Sequence, residues 1–250
     1  MSATTETRPA PAAATSTDTL EGKRDLSICW WITVVFYGLF GVIFVPLTRL
    51  MPPPGPDMST AQITEYFQGN RTGIQIGFVV LMVAIGGAAI AAGLIAYQMT
   101  LMSVSKIYAY SYITTLAVGA LPGCLLGALA FLAAVFRADT DPEVLVLLYD
   151  VAFLTFVGSL GCFATNYLVF AVAVLQDRNG IFPRWLAYVA IWQIVTEVLA
   201  APVFVFRSGP FAWNGVISFW EGTILFGIFL GALIRLSRTA IRRQPIEAVA

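Results

Sequence analysis

Histidine is absent from this 250-residue chain, and charge is scarce: 14 Lys and Arg balance 14 Asp and Glu, together 11% of the residues, for a net charge of zero. Without imidazole, His-ligated haem, His-rich di-iron sites, copper monooxygenase sites and His-based acid–base catalysis are all excluded. The balanced charge gives no ground for nucleic-acid binding or for capture of an acidic partner. Cysteine is limited to Cys29, Cys124 and Cys162. Each falls inside an apolar run rather than a loop, so the three read as small packing residues and not as a disulfide framework. No CxxC pair or clustered ligand spacing suggests a metal site, and no cofactor is implied.

What the chain does have is apolar length. Hydrophobic residues make up 58% of it and mean hydropathy is +0.81, whereas an ordinary soluble domain carries about 25% charged residues. The bilayer is therefore the expected solvent. Six apolar runs, Ser27–Leu50, Gly73–Tyr97, Ile107–Phe136, Leu145–Leu175, Trp185–Phe206 and Trp213–Leu236, each approach or exceed the ~20 residues a helix needs to cross hydrocarbon. Irregular backbone would leave amides unsatisfied there, so each run is expected to be helical. The fold class is thus all-α: a polytopic bundle of six transmembrane helices spanning residues 27–236. Residues 1–26 lack apolar periodicity and read as a disordered cytoplasmic tail, and residues 237–250 read as a basic cytoplasmic tail. The third and fourth runs are longer than a span requires, which implies tilt, a kink or extension into the interface, with Pro122 the expected kink. Gly73–Gly77 and Gly86–Gly93 are expected to let a neighbouring backbone approach closely. No run shows paired Gly/Pro breaking it at mid-depth, and no inverted repeat is visible.

Orientation follows from the basic residues near the span ends. With the N-terminus inside, Arg8, Lys23, Arg24, Lys106, Arg178, Arg184, Arg235, Arg238, Arg242 and Arg243 are cytoplasmic, against Arg49, Arg71, Arg137 and Arg207 outside. The excess places both termini in the cytoplasm of a plasma (inner) membrane. The one long outer connection opens with Pro52-Pro53-Pro54-Gly55-Pro56, a stiff extended segment. It continues into a short amphipathic outer helix with Ser59 as N-cap and Ile63, Tyr66 and Phe67 on one face, either a structural cover or a lid.

Polar groups at membrane depth are the only local clue to function. Asp150, Glu197 and Glu221 lie within the fourth, fifth and sixth runs, where an acidic residue costs roughly 2.5–3.5 kcal/mol unless it faces the bundle interior. Asp150 reads as about one turn from the outer end of its span. Gln193 shares a face with Glu197, and Asn214 falls in the first turn of the sixth helix, in line with Ser218 and Glu221. Arg137 and Arg207, with Arg49, close the outward-running spans; they either complement the helix dipole or reach inward to pair with the acids and form a charged vestibule. Asp150, Gln193, Glu197, Asn214, Glu221, Arg137 and Arg207 are therefore the candidate ligand or proton-relay residues. Trp30, Trp31, Trp185, Tyr188, Trp213 and Trp220 read as interfacial anchors, while Trp192 and Phe204 lie deeper.

Three stretches, Pro52-Pro53-Pro54-Gly55-Pro56 with Gly69-Asn70-Arg71-Thr72-Gly73-Ile74, Ile181-Phe182-Pro183-Arg184-Trp185-Leu186, and Ser208-Gly209-Pro210-Phe211-Ala212-Trp213-Asn214-Gly215, resemble a family of uncharacterised bacterial six-span integral membrane proteins. The resemblance supports the architecture and brings no activity and no catalytic residue with it. The readings open at this point are a lipophile-binding or accessory subunit with an outward-facing polar pocket, a proton-coupled secondary transporter, and a membrane-embedded enzyme using carboxylates on a lipophilic substrate. The partners implied are the lipid bilayer with a lipophilic ligand or a membrane subunit, and no nucleic acid.

Overall fold

The computed structural model describes residues 16–137, 139 and 141–244, and these are helical almost throughout. In chain order the helices are α1 (Ser16–Val42), α2 (Thr60–Gly69), α3 (Arg71–Ala84), α4 (Gly86–Thr100), α5 (Ile107–Thr115), α6 (Leu121–Phe136), α7 (Pro142–Val157), α8 (Leu160–Gln176), α9 (Arg184–Ala200) and α10 (Gly222–Arg243). Five stretches are long and apolar enough to cross a membrane, and a sixth is added if α3 and α4 count as one span. Large apolar side chains face outward along them, among them Val35, Val83, Val118, Leu147, Leu168 and Ile224. In water such a surface would be a severe aggregation hazard; against lipid tails it costs nothing. The chain has the build of a multi-pass membrane protein.

Two expected boundaries move. The N-terminal tail lies outside the described residues as far as residue 15, but from Ser16 the chain is already helical. Lys23 and Arg24 are good helix formers and simply continue α1 beyond its apolar part. At the other end α10 runs on through the basic residues to Arg243, and residues 245–250 of the expected tail lie outside the described residues.

The long spans are not straight, and each departure has a local cause. α1 gives way to a π-helical turn, Ile43–Leu47, that contains Pro46. A second π-helical turn, Leu116–Ala120, joins α5 to α6 just ahead of Pro122. Proline has no N–H to return to the carbonyl four residues back, and a wider turn absorbs the mismatch. The expected kink at Pro122 thus takes the form of a π-turn. Between α3 and α4 the axis bends by 43° at Ile85, next to Gly86-Gly87. This corrects the expectation that no span is broken by paired glycines. Gly87 is where the Phe36 side chain of α1 packs, its Cβ and ring 2.8–2.9 Å from the place a Cβ would occupy, so the bend seats an aromatic that alanine would displace.

A second glycine feature was missed in the sequence. Gly119, Gly123 and Gly127 recur every fourth residue through the second π-turn and α6. A Cβ at Gly119 would collide with Cys162, one at Gly123 with Ser159, and one at Gly127 would stand 2.8 Å from the Phe156 ring and 3.0 Å from the Ala152 carbonyl. This small-xxx-small stripe lets α7 lie directly on α6 and α8 on the π-turn that precedes it. Ser159, in the turn between α7 and α8, donates its hydroxyl to the Gly119 carbonyl at 2.7 Å.

The breaks separate two cores. One is aromatic and gathers Phe44, Phe67, Phe78, Phe131, Tyr149 and Trp213 from α2, α3, α6, α7 and the loops beside them. The other gathers Met99, Tyr112, Phe170, Phe182, Leu186 and Phe229 from α4, α5, α8, α9 and α10. One end of the bundle is therefore closed by α2 and the proline-rich segment. The opposite end carries the start of α1 and the finish of α10.

Candidate functional site

At the α2 end, the proline-rich segment forms a strap across the bundle. Three successive carbonyls receive donors from separate parts of the chain: Pro54 from the Trp213 indole N–H at 2.8 Å, Gly55 from the Tyr149 hydroxyl at 2.8 Å, and Pro56 from the Arg207 guanidinium at 3.4 Å. A backbone that cannot pair with itself in extended form must find such partners when buried. Upstream, the Thr48 carbonyl accepts from both the Tyr66 hydroxyl at 2.9 Å and the Asn70 amide at 2.8 Å. Burial pushes the Tyr66 phenol above its ordinary value, outweighing the lowering by Asn70 and Arg49, so it remains protonated as that donor. Ser59 caps α2 and Gln62 completes the capping box, which aims Ile63 and Phe67 into the aromatic core.

Several sequence-derived candidates sit around this strap, not always as expected. Asp150 is eight residues into α7, about 12 Å along the axis by the ~1.5 Å rise, because the helix begins at Pro142 with Asp141 as its cap. The helix thus starts three residues before Leu145, the first residue of the apolar run. The Arg207 charge acts on Asp150 across the strap, while the guanidinium itself bonds to Pro56. Asn214 is not in the first turn of a helix. Gly209, with φ of 81°, and Pro210 hold the chain in turns until a π-helical turn begins at Val216, and the Asn214 amide lies instead beside Gly55. The expected alignment of Asn214 with Glu221 is therefore absent. Arg137 caps α6 with its guanidinium 5.7 Å from the Phe136 ring. Trp213 is no interfacial anchor: it is buried and stacks on Phe153 at 5.0 Å and 8°. Trp192 and Phe204, which lie further from the span ends, are exposed on the outside of the bundle.

Midway along the second half lies a small polar network. Gln193, buried in α9, donates to the Tyr167 hydroxyl at 3.4 Å and accepts from Thr196 at 3.0 Å. Glu197 is half-buried one turn on from Gln193, within electrostatic reach of Tyr167. Gly222, which follows Glu221, faces Thr196, so Glu197 and Glu221 lie at similar heights on adjoining elements. The network is a feature of the α9 face.

A cavity that opens on charged groups lies at the opposite end, away from the candidate residues read from the sequence. It measures about 830 Å³ and lies between the α8–α9 turn and the last turns of α10. Arg184 and Arg243 line it together with Asn179, Phe182, Leu236 and Gln244. Its floor is set by Asp177. This carboxylate accepts from the Ser103 N–H at 2.8 Å, the Asn179 N–H at 3.0 Å and the Ile181 N–H at 3.0 Å, and from the Ser103 hydroxyl at 3.2 Å. Burial alone would raise its pKa; the backbone N–H groups of Ser103, Ile181 and Asn179 and the Ser103 hydroxyl outweigh that and hold it below the usual carboxylate value. The signal was present as Asp177-Arg178-Asn179-Gly180, an Asx-turn pattern with Gly180 at φ 67°, but nothing local showed that Ser103 would lie against it. Beside the cavity, Gln244 donates to Gln98 at 2.6 Å, both side chains being buried.

No family model, curated protein or solved structure matches this chain. Its function must be argued from its own geometry. A second groove of about 470 Å³ shares Leu236 and Thr239 with the cavity and runs along α9 and α10 past Trp185, Gly231 and Arg235. At the strap end the comparable recess, also about 830 Å³, is an open surface lined by Thr60, Glu65, Gln68 and Pro142. The cavity between the α8–α9 turn and α10 sets Arg184 and Arg243 beside apolar residues such as Phe182 and Leu236.

Proposed function

We propose that this chain is a six-span plasma-membrane protein, with α3 and α4 as one bent span and both termini in the cytoplasm, that binds a lipophile in the cavity between the α8–α9 turn and α10. The observation that carries the reading is that the cavity and the groove beside α10 share two lining residues, Leu236 and Thr239. A cavity bordered by Arg184 and Arg243 next to a groove walled by Trp185, Gly231, Ala232 and Leu236 is a place where a charged head and an acyl chain could lie together. The orientation is supported by the gathering of Lys106, Arg178, Arg184, Arg235, Arg238 and Arg243 at the end where α1 starts and α10 stops. At the other end, α2 serves as an amphipathic cover, its Ile63 and Phe67 buried and its Gln62 and Glu65 exposed. Retention of a lipophile also suits an accessory subunit beside a larger membrane system.

The test is lipid mass spectrometry on protein extracted in mild detergent, comparing the natural chain with Gly231→Phe. A Cβ at Gly231 meets nothing within 4 Å, and the new ring grows from a residue that lines the groove. A retained acyl compound that disappears from Gly231→Phe is the expected result. Equal retention by both, or none by either, removes the proposal. A second reading, a proton-coupled transporter, is favoured by the half-buried Glu197 beside Tyr167 and Gln193 and by the bend at Gly86-Gly87, since interrupted helices line transporter sites. It requires that Glu197→Gln abolish proton-driven uptake in vesicles.

A further inference from the structure

We propose that a small cavity between α1, α4, α5 and α10 holds water bound to the hydroxyls of Tyr37 and Tyr112, and that this water opens a proton path through Tyr167 to Glu197. The inference names a route for the proton-coupled reading and rests on that reading for the use of the proton.

The cavity measures about 40 Å³, and Thr33, Tyr37, Tyr112 and Ser237 bring hydroxyl groups to its otherwise apolar wall. That exceeds the ~10–15 Å³ that one water requires and leaves no room for a lipid. Tyr112 is 5% exposed. It accepts from the Asn166 amide through its backbone carbonyl at 2.9 Å, while its hydroxyl meets no donor or acceptor among the described residues. The Gln98 Nε2 and Gln244 Oε1 atoms are unpaired and wholly occluded; the Tyr112 oxygen is not sealed in this way. The half-buried Tyr37 brings a second unpaired phenol from α1.

The chemistry of the wall selects the occupant. Thr33 and Ser237 spend their protons on the Cys29 and Leu233 carbonyls, at 2.9 and 2.6 Å, and present lone pairs to the cavity. The two phenols have protons to give. Whatever completes all four must accept from the phenols and donate to the aliphatic hydroxyls. An anion can only accept and an apolar group can do neither, whereas water does both. Buried hydroxyls in native folds are seldom left without such a partner.

From the cavity the polar series continues inward. Tyr37, Tyr112 and Tyr167 come from α1, α5 and α8, lie within electrostatic reach of one another, and Tyr167 lies in turn within reach of Glu197. Tyr167 also accepts from Gln193, one turn before Glu197 on α9, at 3.4 Å. Along this series each transfer breaks one O–H bond and forms the next. Glu197 gains a proton from Tyr167, Tyr167 is refilled from Tyr112 and Tyr112 from the water, so one proton is delivered and no other bond changes. On its other side the cavity is lined by Trp30, whose N–H is held by the Ile234 carbonyl at 2.8 Å and whose ring lies 4.2 Å from the Arg238 guanidinium. The indole thus stands between the water and the basic end of α10.

The experiment uses the full chain in lipid nanodiscs and reads two properties. X-ray radiolysis of water labels side chains that touch bound water, and mass spectrometry locates the label. Tyr112 is expected to be labelled several-fold faster than Tyr149, which is buried too but has its hydroxyl bonded to Gly55. Thr33→Val with Ser237→Ala, which removes the acceptors and leaves both phenols in place, should lower the Tyr112 label. The second property is the infrared carbonyl band of the protonated Glu197 carboxyl, identified at acid pH by its loss in Glu197→Gln; its shift in heavy water follows exchange of that proton. Tyr37→Phe with Tyr112→Phe keeps both rings and should slow the shift by about tenfold or more, the factor that one lost hydrogen bond gives. Tyr112 labelled no faster than Tyr149 overturns the water site. An exchange rate unchanged in the double phenylalanine variant, or no band lost in Glu197→Gln, overturns the path. If both properties behave as expected and Glu197→Gln leaves proton flux into vesicles unchanged under an imposed pH gradient, the transporter reading fails and the hydrated path stands.

Discussion

Replacing Tyr149 with phenylalanine tests whether the proline-rich strap is held as its hydrogen bonds imply. The Tyr149 side chain is fully buried and its hydroxyl donates to the Gly55 carbonyl at 2.8 Å. The substitution keeps the ring, which packs 4.9 Å from Phe153, 5.7 Å from Trp213 and 6.2 Å from Phe67, so packing is nearly conserved and the change isolates the bond. A net hydrogen bond is worth about 0.5–1.5 kcal/mol, and stranding its buried acceptor raises the loss to about 1–3 kcal/mol; a stability decrease of about 1–2 kcal/mol follows. Trp213→Phe removes the neighbouring donor to Pro54 and part of the stack on Phe153, and should cost more. Because one released carbonyl loosens the next, the double variant is expected to fall short of the sum, with a coupling of about 0.5–3 kcal/mol. Unfolding in mixed detergent micelles gives the free energies, and limited proteolysis between residues 48 and 58 reports release of the strap directly. A Tyr149→Phe protein within about 0.3 kcal/mol of the natural one and equally resistant to protease would refute the clamp, since the Gly55 carbonyl would then be satisfied in some other way.

The other predictions use the same measurements. Gly127→Ala, whose Cβ would press on Phe156 and the Ala152 carbonyl, should destabilise by about 1–3 kcal/mol, whereas Gly227→Ala, with nothing within 4 Å, should be neutral or slightly stabilising; equal effects would contradict the close approach of α6 and α7. Asp177→Asn should cost about 1–3 kcal/mol through its lost charge-assisted bonds. Since folding lowers the Asp177 pKa, its contribution is complete above the ordinary carboxylate range and is lost as pH falls through the depressed value; the acid limb of the stability curve should flatten in the variant, and an unchanged limb would sink the argument. Gln98→Leu alone should destabilise by leaving Gln244 stranded, while Gln98→Leu with Gln244→Leu should be close to neutral, measured as unfolding midpoints.

The helical runs were legible in the sequence because they obey a local rule. A run near 20 apolar residues must satisfy its own amides in hydrocarbon, whatever lies beside it, so Ile107–Phe136 emerges with the expected limits. Caps and kinks were legible for the same reason: Ser59 and Gln62 are three residues apart, and Pro122 disturbs its own preceding turn. The tryptophans were less so. Trp31 and Trp185 are exposed as an interfacial anchor would be, but Trp213, at an equally terminal position, is buried because the turn at Gly209-Pro210 folds it beneath the strap.

The site was the least legible part. Polar residues inside apolar runs drew attention to Asp150, Glu197 and Glu221, each exceptional for its own position along the chain. The cavity is lined instead by residues that are ordinary where they stand, such as an arginine after a proline, a turn aspartate and a glutamine beyond a basic stretch. Their meaning arises from partners 74 residues apart, as with Ser103 and Asp177, or 146 apart, as with Gln98 and Gln244. By itself the sequence determined that the chain forms long apolar helices with basic ends, because hydrophobic burial and amide satisfaction act along each segment. Which ends meet, which carbonyls are clamped and where a cavity remains were decided only by tertiary packing, because those contacts join segments whose separation the chain leaves unconstrained until the helices assemble.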